Sequence, residues 1–117
     1  MRVFVYFNLH RKVWSIKALE GPDKGRVIAH SKYVVLRNAR GKVSQAGRQR
    51  VLREGRKNVH AGIVGDWSYA DLAELPGVDR RVTYNPYKYE TFVYLYDETP
   101  FEGSDLVVMT NKTVYAA

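Results

Sequence analysis

A chain of 117 residues, 45% of them hydrophobic, holds enough apolar material for one modest domain, so a single domain over residues 1–117 is expected and global disorder is excluded. The absence of cysteine removes disulfide frameworks and thiolate zinc sites, and it suits a reducing cytosol. Lys and Arg outnumber Asp and Glu by 19 to 12, a net charge of +7 that favours polyanionic partners, and no apolar run approaches the ~20 residues of a membrane span.

From the N-terminus, VFVYFNL (residues 3–9) alternates Val3, Val5, Phe7 and Leu9 against Phe4, Tyr6 and Asn8. That is the period of a strand, and it gives MRVFVYFNLHRK the character of a strand rather than a cleavable leader. VWSIKAL (residues 13–19) is the expected hairpin partner, followed by a turn at EGPDKG. RVIAHSKYVVL (residues 26–36) predicts a third strand, broken near Ser31, and RNARGK predicts a turn around Gly41. Ser44 is a natural N-cap for a helix over about Gln45–Lys57, in which Gly47 and Gly55 each cost about 1 kcal/mol relative to Ala. NVHAGIVG (residues 58–65) is β-compatible, and SYADLAEL (residues 68–75) predicts a short helix stopped by Pro76-Gly77. RRVTYN, PYKYETFVYLYD and LVVMTNKTVY each read as one further strand. The expected fold class is α+β: a mainly antiparallel sheet of about six to seven strands, one central basic helix and one short helix.

The central helix carries the first functional signal. Eight basic residues fall between positions 37 and 57 (Arg37, Arg40, Lys42, Arg48, Arg50, Arg53, Arg56 and Lys57), opposed only by Glu54. At 3.6 residues per turn, Arg50, Arg53 and Lys57 share one face while Val51 and Leu52 lie on the other. Arg48, four residues before Leu52, projects from the docking side and must therefore snorkel or bond a partner. Two readings stay open: a solvated basic face with Arg48 bonded to an acid such as Asp66 or Glu90, or a phosphate-binding face built on Arg48, Arg50, Arg53 and Arg56.

The second signal is aromatic. Residues 80–96 hold five of the nine tyrosines, at positions 84, 87, 89, 94 and 96, together with Phe92. Tyr84, Tyr87 or Phe92 beside cations can stack on a nucleobase, and the Asn85 amide can read the edge of adenine. The competing reading is that Tyr is a good strand former that covers a sheet or a subunit interface.

No catalytic signature is present. His10, His30 and His60 have no metal-ligand spacing, and the chain lacks a nucleophile elbow, a phosphate-binding glycine loop and paired carboxylates. No enzyme activity, metal or cofactor is expected.

The segments VFVYFNLHRKVWSIKALEGPDKGRVIAH, KVSQAGRQRVLREGRKNVHAGIVG and VTYNPYKYETFV resemble a family of small proteins encoded in phage and prophage genomes. In general shape they are similar to the first Thoeris anti-defence family, small phage proteins that sequester cyclic nucleotide signals such as cyclic ADP-ribose isomers and cyclic oligonucleotides. That resemblance implies arginines, an aromatic ring and an asparagine in a pocket shared between subunits, residue types offered here by Arg48, Arg53, Arg56, Asn85, Tyr87 and Phe92. The expected function is a phage-encoded, non-catalytic, homo-oligomeric nucleotide sponge in the host cytoplasm. The alternatives are a DNA- or RNA-binding accessory protein and an inhibitor that docks on an acidic host protein.

Overall fold

The computed structural model describes residues 1–69 and 77–117. Its elements are β1 (Arg2–Asn8), β2 (Val13–Ala18), β3 (Val27–Ser31), β4 (Tyr33–Val43), α1 (Gln45–Glu54), β5 (Ala61–Ser68), β6 (Arg80–Thr83), β7 (Val93–Tyr94), β8 (Ser104–Thr110) and β9 (Thr113–Ala116). The strands form one nine-stranded sheet in the order β3-β2-β1-β5-β4-β8-β9-β6-β7. Every neighbouring pair is antiparallel. The mainly antiparallel sheet and the single basic helix were legible in the sequence, but nine strands replace the expected six or seven. Residues 70–75 of the expected short helix lie outside the described residues.

Local chemistry explains most of the layout. Val3 and Val5 of β1 are fully buried while Arg2, Phe4 and Tyr6 between them are not, as period-two alternation requires. Asn8 closes the first hairpin by accepting the His10 and Arg11 N–H groups, each at 3.0 Å. Lys32 alone separates β3 from β4, so the predicted break near Ser31 is present. The turn predicted around Gly41 is not. β4 runs on to Val43 through a bulge between Arg37 and Arg40, with Asn38 at φ 49°, a left-handed conformation that Asn tolerates. LVVMTNKTVY is two strands rather than one: Asn111 and Lys112, at φ 29° and 67°, form the tight turn between β8 and β9.

The helix is shorter than its pattern predicted. Ser44 caps its first turn by accepting the Gly47 N–H at 3.2 Å. Gly55, at φ 67°, ends it with its own N–H on the Val51 carbonyl. Arg56 and Lys57 therefore lie past the cap, on the segment leading into β5. Only Val51 of α1 is fully buried.

The main core joins both ends of the sheet. Val3, Val5 and Ile16 from β1 and β2 share one buried cluster with Val82, Phe92 and Val114 from the β6–β9 end. Residues of β1 and β6 also line one small cavity, so the sheet curls toward itself while β3 and β7 remain its open edges. A second, smaller cluster of Val35, Leu106 and Val108 occupies the other face of the β4–β8 pair.

The largest departure from expectation is PYKYETFVYLYD, which is not a long alternating strand. Only Val93–Tyr94 pair in the sheet. Local bonds replace the ladder over residues 85–89. The Asn85 side chain accepts the Tyr87 N–H at 2.9 Å. The Asn85 carbonyl accepts from Lys88 and Tyr89. Pro86 has no N–H to offer a neighbour.

Candidate functional site

The loop made by residues 84–90 is held from behind by α1. Arg48 Nε donates to two backbone carbonyls, Pro86 and Tyr89, each at 3.0 Å. Gln45 Nε2 donates to the Glu90 carbonyl at 2.8 Å. Neither acid named for Arg48 from the sequence is its partner: Asp66 pairs with Arg2 at 3.4 Å, and Glu90 is engaged through its backbone. Arg48 is thus a strut, and its guanidinium satisfies carbonyls that a loop leaves without ladder partners.

In front of that strut lies a cavity of about 790 Å³. Tyr84, Asn85, Pro86 and Tyr87 form one wall, the β1 end from Tyr6 to His10 another, and Lys57 to Ala61 a third, with Val51 of α1 also in the lining. No Asp or Glu among the described residues lines it. Among the described residues its polar complement is one ammonium, two imidazoles and three carboxamides, from Lys57, His10, His60, Asn8, Asn58 and Asn85, with the phenols of Tyr6, Tyr84 and Tyr87. Among the described residues such a set offers a cation no carboxylate to pair with and offers an anion one ammonium and several N–H donors.

His60 and Tyr84 are locked together. The Asn58 carbonyl lies 2.8 Å from His60 Nδ1, so the proton sits on Nδ1. In the neutral imidazole Nε2 then accepts the Tyr84 O–H at 2.7 Å. The two rings meet nearly edge-on, 5.5 Å apart, and Tyr84 also lies against Phe92 at 5.1 Å. Gly47 lets the helix approach, since a Cβ there would fall 2.6 Å from His60 Cβ. Burial raises the Tyr84 phenol above its ordinary value, and the nearby Arg48 charge opposes this in part. A raised folded-state value means that the folded chain holds its proton longer than the unfolded one. The stability is complete below the ordinary tyrosine value of about 10 and is lost as pH rises past it. Tyr84→Phe is expected to be less stable than the wild type near neutral pH through loss of the His60 bond, by about 1 kcal/mol. The gap should narrow above about pH 10, where the wild type alone loses the phenol's contribution. Thermal unfolding across pH checks this, and a gap that widens with pH would refute it.

The structure brings some of the predicted site residues together and separates others. Tyr84, Asn85 and Tyr87 share the cavity, with Tyr87 64% exposed and its ring free to stack. Phe92 is 8% exposed, belongs to the core, and presses on Gly41; it is a wall behind Tyr84 and has no free face. Arg50, Arg53 and Arg56 are exposed, lie outside the cavity lining, and form no ion pair among the described residues. Sequence reasoning did not place the β1–β2 turn or the Asn58–His60 segment at the site. Leu9 and Val59 mark these segments in the structure: both are apolar, lie just outside β1 and β5, and are 57% and 55% exposed.

Several comparisons bear on this chain. No solved structure matches it. The gene 82 protein of Mycobacterium phage L5 is 48% identical to it over 123 aligned residues, covering 100% of this chain and 96% of the relative. That overlap takes in β1, α1 and the 84–90 loop alike, so all the walls of the cavity lie within the shared region. With residues 1–117 also matching the family described as Mycobacterium phage L5 gene 82 protein, the chain belongs to that phage protein family.

Proposed function

We propose that this phage protein is a non-catalytic binder that sequesters a phosphorylated, base-bearing nucleotide in the cytoplasm of the infected host. The observation that carries the reading is the cavity of about 790 Å³, within the ~300–1,000 Å³ range of small-molecule sites and lined by no Asp or Glu among the described residues. Tyr87 supplies a stacking face. Asn85 keeps both amide hydrogens and one lone pair after its turn bond, enough to pair with a base edge. Lys57 takes a phosphate. The exposed Arg50, Arg53 and Arg56 add a positive field that draws the anion in. Leu9, Val59 and Tyr87 put exposed apolar surface around the same cavity, which a second copy of the chain would cover in an oligomer. The likeness to the Thoeris anti-defence proteins makes cyclic ADP-ribose isomers and cyclic oligonucleotides the first ligands to try.

Native mass spectrometry of the protein purified from expressing cells tests this directly. A co-purified mass of nucleotide size is expected, along with a rise in melting temperature on adding the matching compound. Tyr87→Ala should weaken binding about tenfold, the loss of one stack worth ~1–3 kcal/mol. A protein that carries nothing, is stabilised by no cyclic nucleotide and instead binds duplex DNA would overturn the proposal. The exposed arginines outside the cavity favour that nucleic-acid reading as the alternative. It predicts an affinity that falls by orders of magnitude over a modest rise in salt, which a compact cavity does not.

A further inference from the structure

A second cavity, of about 270 Å³, shares Phe7 with the first. Three lysines from three separate turns line it: Lys12 after the first hairpin turn, Lys32 between β3 and β4, and Lys112 between β8 and β9. All three are exposed, and none has a carboxylate partner among the described residues. No acid among the described residues lines this cavity either. Sequence distance hides the cluster: antiparallel pairing sets positions 12, 32 and 112 at the same end of their strands, and the curl of the sheet brings them to one lining.

A second observation points the same way. Trp14 lines this cavity and is 6% exposed, yet its indole Nε1–H has no acceptor. It is the buried side-chain polar atom left without a partner among the described residues. Native interiors rarely leave such a donor unmatched, and an anion drawn in by the lysines would supply the acceptor.

The two cavities share lining. Phe7 lines both, and it also lines a third cavity of about 190 Å³ that shares residues with each. Tyr6 and Tyr84 continue the lining on the large-cavity side, Trp14 and Lys112 on the lysine side. Lys112 Nζ sits 5.6 Å from the Phe7 ring, so cation and aromatic meet at the junction. Rings shared between two cavities that each carry cations match the requirements of a strand of bases joined by phosphates.

We infer that the Lys12–Lys32–Lys112 cavity is a second phosphate subsite, and that the ligand is a short single-stranded oligonucleotide running from the Tyr87 cavity across Phe7 to the lysines. The inference rests on the reading that the large cavity takes a phosphorylated base, and it specifies how far the ligand extends. A mononucleotide fills the first cavity only. A longer strand gains the second.

The test titrates the full chain with a thymidine mononucleotide, di-, tetra- and hexanucleotides, each carrying a 5′-phosphate, and with a cyclic dinucleotide, following tryptophan emission and calorimetric heat. Affinity is expected to rise about tenfold or more from mono- to tetranucleotide and then level off. In Lys12→Gln/Lys32→Gln/Lys112→Gln this gain should vanish while mononucleotide affinity stays unchanged. The triple variant should also flatten the slope of log affinity against log salt for the tetranucleotide by about 2, some 0.7 for each lost phosphate contact. Lys112→Glu alone should reproduce the loss in part, and unchanged melting temperatures show that both variants fold. Equal affinity for all lengths, unaffected by the variants, overturns the second subsite and leaves the first reading standing. Failure of every nucleotide, including the mononucleotide, overturns both. A cyclic dinucleotide that binds tighter than the tetranucleotide, or lysine variants that weaken all lengths equally, also sinks the inference, since compactness or a diffuse field would then explain the charge.

Discussion

Arg48→Ala is expected to lower stability by about 2 kcal/mol and to weaken nucleotide binding by roughly tenfold, although the side chain is absent from the cavity lining. The cause is the shared donor: one Nε holds the Pro86 and Tyr89 carbonyls together at 3.0 Å each. Charged hydrogen bonds of this kind contribute about 1.5–3 kcal/mol, and their loss leaves two half-buried acceptors dependent on water. For a chain of this size the melting temperature should fall by roughly 8 °C. Gln45 still ties the Glu90 carbonyl to α1, so the loop stays attached, but the Asn85–Tyr87 tip loses its register against Lys57. Arg48→Lys should recover little, because an ammonium on a flexible stem does not reproduce the planar fork. Arg53→Ala is the control. It is exposed and without an ion pair among the described residues, so its melting temperature should move by no more than about 2 °C, with a measurable loss of ligand affinity. Scanning calorimetry with and without nucleotide separates the cases. An Arg48→Ala protein that melts normally yet binds nothing would make Arg48 a phosphate ligand instead of a strut.

Gly62→Ala is expected to be the more damaging change, with a loss of about 3 kcal/mol or more and a midpoint lowered by roughly 12 °C. Gly62 sits in β5, which is hydrogen-bonded to β1 on one side and β4 on the other. A Cβ there would drive into the Val5 carbonyl oxygen and lie 2.6 Å from two atoms of the Phe4 ring. The ring can rotate away, but the carbonyl belongs to the backbone of a neighbouring strand and cannot. Phe4→Leu in the Gly62→Ala background should therefore restore only a fraction of the loss. Urea unfolding measures it: the midpoint should drop with the slope unchanged, as a strained but intact fold requires. A Gly62→Ala protein as stable as the wild type would mean that β1 and β5 pair less closely than described, and the Ala61 wall of the cavity would move with them.

Much of the local architecture was legible because its causes are local. Alternation of Val3 and Val5, the cap at Ser44 and the break beside Ser31 each depend on neighbours within a few positions. The helix end and the 84–90 loop were not. Gly55 was weighed as a weak helix residue although its real role is a left-handed cap, and residues 85–96 alternate whether or not a partner strand exists for them. Asn85 and Pro86 held the clue, since one bonds its own backbone and the other cannot join a ladder. The β8–β9 turn was hidden for a related reason: Asn111-Lys112 carries no glycine, and only the left-handed tolerance of Asn marks it.

The same division runs through the site. Composition and order along the chain by themselves determined a basic, acid-poor central segment, a tyrosine-rich late segment and an antiparallel, turn-punctuated fold, because charge, ring content and turn chemistry belong to residues and their near neighbours. Only the folded chain decided that Arg48 spends its charge on the carbonyls of Pro86 and Tyr89, that Phe92 is core while Tyr87 stays free, and that Lys12, Lys32 and Lys112 meet at one end of a curled sheet. Those outcomes depend on contacts between residues tens of positions apart, whose pairing follows from strand order and sheet curvature, and neither is written in any short stretch of residues.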